Sequence, residues 1–243
     1  MQFYSLSDKG LIRSNNQDSC YADNIGKYTV LILADGMGGH KGGETASRCA
    51  VEVVSSTLCE KLTQNLLPGQ IGMLLSDTLE RANTEIYNLS KSDEALSGMG
   101  TTLDACVIDK DNAYIAHIGD SRVYKVTPTG EIRRLTKDHS LVEYMVSTGA
   151  ITPQQAVSHP QKNVITRALG ISQDITADIF HEKLAAKDRL LLCSDGLTNM
   201  VDEDTIAKVL TGEKKLESCG KKLVKLANQA GGNDNITVVV AQV

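Results

Sequence analysis

Tryptophan is absent from this chain, and aromatic residues make up only 4% of it. Four prolines in 243 residues leave no proline-rich linker, and no low-complexity stretch or internal repeat divides the sequence. A single domain spanning residues 1–243 is therefore expected. No run of about 18 apolar residues occurs, which excludes an ordinary membrane-spanning helix. The opening residues Met1 to Asp8 lack the basic and apolar regions of a secretory signal. The six cysteines (Cys20, Cys49, Cys59, Cys106, Cys193 and Cys219) form no C-x-x-C pair, and none is followed six positions later by an arginine, as a cysteine-based phosphatase loop requires. Buried, reduced thiols in a cytoplasmic protein are expected. Positive charge is not in excess: 25 Lys and Arg stand against 30 Asp and Glu, a net charge of −5. That balance argues against a nucleic-acid partner. Lys214-Lys215 and Lys221-Lys222 read as the solvated face of one late helix.

Apolar runs rich in Val, Ile and Leu predict strands at Tyr28–Ala34, Leu103–Ile108, Ala113–Ile118, Arg122–Val126, Arg189–Cys193 and Asn235–Val243. Several are too continuously apolar to have a wet face. Helical spacing predicts one helix through Ala46, Ala50, Val53, Val54 and Leu58, and a second through Ile71, Leu75, Leu79, Ala82, Ile86 and Leu89. A third runs through Leu216, Cys219, Leu223, Leu226 and Ala230 and stops at Gly231-Gly232. Between Lys137 and Gly170 the pattern becomes polar. A short helix through Leu141, Val142 and Met145 ends near Gly149, and Thr152-Pro153-Gln154-Gln155 supplies the N-cap, N1 proline and capping-box glutamine of another. Strands and helices grouped rather than alternating give an α+β class, with helices covering a sheet sandwich.

Five short stretches set an aspartate beside an apolar run. They are Arg13-Ser14-Asn15-Asn16-Gln17-Asp18, Ala34-Asp35-Gly36-Met37-Gly38-Gly39, Gly119-Asp120-Ser121-Arg122, Ser194-Asp195-Gly196 and Gly232-Asn233-Asp234-Asn235. One Asp-Gly is a turn; five such stretches point to a metal site. The strand, glycine-rich segment and helix around Asp35 do not match a nucleotide loop. G-x-x-x-x-G-K-[ST] is missing, and Lys41 occupies the last position of G-x-G-x-x-G. A carboxylate there would also repel a pyrophosphate, whereas it can bridge cations while the Gly36 carbonyl ligates one. Oxygen ligands without a Cys or His cluster select Mg²⁺ or Mn²⁺ over Zn²⁺. Arg13 can hold two phosphate oxygens in a fork.

In this order and spacing the motifs, with Gly100-Thr101-Thr102 and the closing G-G-x-D-N-I-T, resemble the metal-dependent serine/threonine phosphatases of the PPM (protein phosphatase type 2C) family. The compact bacterial branch that opposes serine/threonine kinases is the nearest pattern, and the resemblance runs from Ser7 to Val240. It implies a central antiparallel β-sandwich flanked by pairs of α-helices, with two core Mn²⁺ or Mg²⁺ ions and a possible third. By motif, Asp35 resembles the bridging ligand, Gly36 a carbonyl ligand, and Asp195 and Asp234 ligands of the other ion. Asp18 resembles a carboxylate holding metal-bound water, Arg13 the phosphate clamp, and Asp120 a ligand shared with Asp195 at the third ion. The insert at about 137–170 falls where the family carries its flap. The implied reaction is direct attack on phosphorus by a hydroxide bridging two ions, with no phospho-enzyme. Ser121 and Ser194 are then local hydrogen bonders. The implied partners are phosphorylated proteins, a kinase and its substrates, met by a monomer with no nucleic acid or membrane partner. Two residues depart from the animal branch: Gln17 replaces a glutamate, and Met37 replaces the histidine that acts as general acid. Metal-bound water and His40 are the remaining proton donors. A phosphatase-like binding module without turnover, and a phosphatase acting on anti-sigma antagonists, are the competing readings.

Overall fold

Side chains of the strand Tyr28–Met37 (β3) alternate between two apolar layers. Val30, Ile32 and Ala34 face helices, whereas Leu31 and Leu33 face a second sheet. The same division holds in Leu103–Asp109 (β5), Arg189–Cys193 (β10) and Ile236–Gln242 (β11). Leu190, Leu192, Val239 and Ala241 point into the middle layer; Leu191, Cys193, Val238 and Val240 point outward to helices. Strands dry on both faces read as unbroken apolar sequence, and each fully buried aliphatic side chain contributes about 1.5–3 kcal/mol. The computed structural model describes residues 1–62 and 65–243, and at His40 the backbone alone.

One sheet runs β1-β11-β10-β7-β8, with β1 at Gln2–Asp8, β7 at Arg122–Val126 and β8 at Ile132–Arg134. The other runs β2-β3-β5-β6-β9, with β2 at Asp18–Ile25, β6 at Asn112–Ile118 and β9 at Asp178–Lys183. A two-residue β4, Gly100–Thr101, pairs with β3. Every pairing is antiparallel. Helices α1 (Gly39–Lys61) and α2 (Pro68–Ser92) cover the outer face of the second sheet. Helices α6 (Glu203–Gly212) and α7 (Leu216–Gln229) cover that of the first. The result is the expected α+β sandwich with a helix pair on each side.

The polar segment 137–170 carries α3 (Leu141–Ser147) and α4 (Pro153–Val157), and the predicted capping box at Thr152 and Gln155 is present. Helix α7 ends at Ala230, where Gly231 and Gly232 adopt positive φ and their N–H groups return to the Asn228 and Ala227 carbonyls. Three expectations need correction. Strand β3 continues through Asp35 to Met37 instead of turning at Asp35, because Gly36 and Met37 pair with β4. Lys214 and Lys215 precede α7 and do not share its face with Lys221 and Lys222. Leu89 keeps the spacing of the stripe of Ile71, Leu75, Leu79 and Ile86 but is exposed, in the last turn of α2 before it ends at Ser92. The six thiols are all free; Cys106, Cys193 and Cys219 are buried, and the other three are half-buried.

Candidate metal centre

Each sheet delivers two carboxylates to the same end of the sandwich. In the second sheet, Asp18 at the start of β2 lies directly opposite Asp35 in β3. In the first, Asp195 opens a short helix (α5, Asp195–Thr198) immediately after β10, and Asp234 lies just before β11, the neighbour of β10. Asp120 sits on the crossing from β6 to β7. The preceding Gly119 has a φ of +115° and packs on Thr102 so closely that a side chain would not fit. Arg13 lies on the other crossing, between β1 and β2.

These residues face a cleft of about 500 Å³, lined by Arg13, Asp35, Gly36, Met37, Asp120, Asp195 and Asp234 among others. Asp18 lies buried beneath it, 8% exposed. Its Oδ2 accepts from Ser194 Oγ at 2.8 Å. The Gly100-Thr101-Thr102 motif fixes Asp35 by its backbone: Thr102 Oγ1 accepts from the Asp35 N–H at 2.9 Å, and Thr101 Oγ1 donates to the Asp35 carbonyl at 2.9 Å. At Gly36 a Cβ would run into the Gly43 backbone and the Gln17 carbonyl, so only glycine lets α1 cross β3 here. Gly196 is constrained in the same way against the Asn235 carbonyl, which brings Asp195 beside Asp234.

The electrostatics are those of a site short of positive charge. Burial, then the like charges of Asp195 and Asp234, lift Asp18 to about 7, against hydrogen bonds from Thr237 and Ser194. Burial and four neighbouring aspartates hold Asp35 well above the ordinary carboxylate range. Burial and Asp195 bring Asp120 to about 7, and burial and Asp234 bring Asp195 to about 6. The Asp35 and Asp195 carboxyls face one another as like charges, a repulsion that a bound cation would relieve.

The donor set fits hard divalent cations: carboxylate oxygens and an approachable glycine carbonyl, with no thiolate or imidazole among the residues named. The Oδ1 of Asp18 is buried without a hydrogen-bond partner, an acceptor with capacity to spare. Among the described residues, no three carboxylate, imidazole or thiol groups already close into a cage. Three oxygens of the cleft-lining carboxylates are held by other donors: Asp234 Oδ2 by Arg13 Nη2 at 2.7 Å, Asp234 Oδ1 by the Asn235 N–H at 2.9 Å and Asp195 Oδ2 by Asn199 Nδ2 at 3.0 Å.

Arg13, Asp35, Gly36, Asp120, Asp195 and Asp234 thus share one cleft, with Asp18 under its floor. Ser121 and Ser194 are hydrogen bonders, to Thr102 and Asp18. The side chain of His40 lies outside the described residues. Sequence reading missed Asn163 and Ile165, which line the cleft from the segment after α4. No motif marks them. It also missed Asp138, whose carboxylate takes a fork from Arg122 at 2.6–3.1 Å; the arginine of G-D-S-R was the signal available.

The model of the family described as protein phosphatase 2C matches residues 12–237. The serine/threonine phosphatase stp of Listeria innocua is 40% identical over 237 residues, 97% of this chain and 93% of that protein. The solved serine/threonine phosphatase of S. agalactiae superposes with a TM-score of 0.93 at 42% identity, covering 98% of each chain. The catalytic domain of the serine/threonine protein phosphatase PstP, solved in complex with two manganese ions, superposes with a TM-score of 0.86 at 35% identity over 99% of this chain and 97% of that one.

Proposed function

This chain belongs to the protein phosphatase 2C family and is a serine/threonine protein phosphatase, and on that premise we propose that the cleft at Asp35 hydrolyses phosphoserine and phosphothreonine in proteins through the residues described above. The observation that carries the assignment of roles is the convergence of aspartates from both sheets on one cleft that also holds Arg13. Asp35, Asp195, Asp234 and the Gly36 carbonyl would hold the core cations, two in number, and Asp120 with Asp195 a third. Divalent cations, when bound, supply Lewis acidity: they acidify water and withdraw charge from phosphoryl oxygens.

The chain's own side chains supply the rest. Arg13, half-exposed at the rim, exchanges Asp234 for two phosphoryl oxygens and holds them in a planar fork. Its charge offsets the negative charge that spreads over those oxygens during transfer. Asp18 Oδ1, buried and unpartnered, accepts a hydrogen from water at the cleft floor, while Ser194 fixes the other oxygen of the same carboxylate. Met37 lines the cleft and carries no proton, so the leaving oxygen is not protonated from that position.

Residues 1–243 act as one catalytic domain in this reading, and the insert at 137–170 is its flap, placing Asn163 and Ile165 beside the phosphoprotein. The enzyme works in the cytoplasm as a monomer, opposing a serine/threonine kinase. Among the described residues no helix is long and apolar enough to cross a membrane.

The test is hydrolysis of p-nitrophenyl phosphate and a phosphothreonine peptide with Mn²⁺ and with Mg²⁺. Turnover is expected with either ion, with EDTA, Asp35→Ala or Asp195→Ala abolishing it. Activity that survives both substitutions would refute the assignment.

A further inference from the structure

The loop that carries Arg13 has no secondary structure of its own between β1 and β2, yet a guanidinium must be held to within an ångström or so to grip a phosphoryl group. Contacts on both sides of Arg13 tie this loop down. At its first half, the Leu11 and Ile12 N–H groups donate to the Gly232 carbonyl at 2.8 and 3.3 Å. Gly10, with a φ of +77°, packs so closely on the Asp234 carbonyl that no side chain would fit.

After Arg13, Asn16 Nδ2 donates to Ser7 Oγ at 2.8 Å, Gln17 Nε2 to the Gly39 carbonyl at 2.7 Å and the Gly36 N–H to the Gln17 carbonyl at 3.1 Å, but one side chain reaches both flanks of Arg13. Asn235 is 5% exposed. Its Nδ2 donates to the Lys9 carbonyl at 2.9 Å and to the Asn15 carbonyl at 2.9 Å. Its Oδ1 accepts from the Gln17 N–H at 2.8 Å. The amide therefore spends both donor hydrogens and its acceptor on three backbone groups of one loop, one before Arg13 and two between Arg13 and Asp18. The O and N of this amide are fixed by those partners, since two carbonyls can only accept and an N–H can only donate. Asn235 also sits next to Asp234 in the chain, so the same short segment presents a carboxylate to the cleft and grips the loop that presents the guanidinium.

We infer that Asn235 is a positioning residue for phosphate binding: by bonding Lys9, Asn15 and Gln17 it sets where Arg13 stands relative to Asp234. It touches no substrate. Its effect passes through the Arg13 loop, and the inference rests on the reading of Arg13 as the phosphate clamp. An asparagine is suited to this and an aspartate is not. A carboxylate keeps the acceptor for Gln17 but has no hydrogen for the two carbonyls, and sets a charge against them.

Two measurements on the full chain test this. The first is amide hydrogen exchange across residues 9–17 in the metal-free protein, a readout independent of catalysis. Asn235→Ala is expected to speed exchange at Gln17 and its neighbours while α2 keeps its protection; unchanged protection of the loop overturns the inference. The second is inhibition by inorganic phosphate with Mn²⁺ present, alongside direct titration of Mn²⁺. Asn235→Ala is expected to weaken phosphate inhibition and raise KM about tenfold, with Mn²⁺ affinity changed less than about twofold. Added to Arg13→Ala, it should have little further effect on phosphate, because both act through one guanidinium. Effects that multiply, or a loss of Mn²⁺ affinity as large as the loss of phosphate affinity, overturn it. If Asn235→Ala fails to fold, Asn235→Asp serves for the exchange measurement, with the same expected direction and the same outcome overturning the inference. Should Arg13→Ala itself leave phosphate inhibition unchanged, the clamp reading fails, and the exchange measurement still reports whether Asn235 fastens the loop.

Discussion

Arg13 Nη2 stands 2.7 Å from Asp234 Oδ2, joining residues 221 positions apart in the chain. The pair is solvated, with the two side chains 50% and 32% exposed, so it contributes little to stability. Its consequence is positional: it keeps the guanidinium at the cleft without burying it.

Replacing Arg13 separates charge from shape. Arg13→Ala is expected to lower kcat/KM on a phosphopeptide on the order of 100-fold. Arg13→Lys should recover only part of this, because an ammonium restores the charge without the planar fork. Steady-state kinetics with saturating Mn²⁺ decides it, and full recovery in the lysine variant would contradict the fork.

Divalent ions should stabilise the fold as well as support turnover. At a hundredfold excess over its dissociation constant, an ion bound only by the folded state adds about 2.7 kcal/mol. For a chain of this length that raises Tm by roughly 5–10 °C. Thermal melts with and without Mn²⁺ measure it. Asp195→Ala should remove most of the increment; an undiminished increment would place the ion elsewhere.

His139 makes stability sensitive to acid. Its Nδ1 accepts from the Gly119 N–H at 3.1 Å, so that nitrogen carries no proton, and Nε2 faces Asp178 at 3.3 Å. Burial, then the neighbouring His117, lowers its pKa to about 4, against the pull of Asp178. The folded-state value lies below the ordinary 6.5, so the stability it confers is complete above that value and is lost as pH falls towards 4. Urea midpoints between pH 7 and pH 4 should fall, and less steeply in His139→Gln. Parallel pH curves for the two proteins would remove His139 as the cause.

Asp104 and His117 form a pair that water does not reach. Both side chains are fully buried, with Nδ1 and Oδ1 2.7 Å apart, and His117 Nε2 meets the Lys137 carbonyl at 3.0 Å. Burial opposes a charge on the ring, but Asp104 and that carbonyl hold its pKa above the ordinary value. Asp104→Ala leaves the imidazole without its counter-charge, an expected loss of about 3–5 kcal/mol. Asp104→Asn, which keeps an acceptor, should cost less. Chemical denaturation of the metal-free proteins gives both numbers, and an Asn variant as unstable as the Ala variant would show that the retained acceptor contributes nothing and the lost charge carries the whole effect.

The strands legible in the sequence are those buried on both faces, such as β3, β5, β10 and β11, whose apolar runs admit no other reading. The strands missed are β1, β2, β8 and β9, all at sheet edges, and the two-residue β4, too short to show a pattern. β9 alternates half-buried and exposed positions, and β2 is largely polar along its length, so neither shows a continuous run. Helix α6 was missed although Asp202 caps it, because its apolar residues Ile206, Ala207, Val209 and Leu210 span barely one turn. At the cleft, the aspartates were legible because each carries a glycine or a polar neighbour that has no role in a plain strand. Asn163 and Ile165 were not, because they enter the cleft by the path of the chain after α4, which no local pattern encodes.

Asp18 and Asp35 hang from one sheet while Asp195 and Asp234 hang from the other, so the seam between the layers runs through the cleft. The spacing of the two halves is then governed by the side chains packed along that seam, Leu33, Leu192 and Val239 among them. None of these touches a phosphoryl group, yet a change of bulk there slides one layer over its mate and misaligns the acids at its rim. Enzyme turnover is in this sense written into the greasy filling of the sandwich as much as into its charged edge.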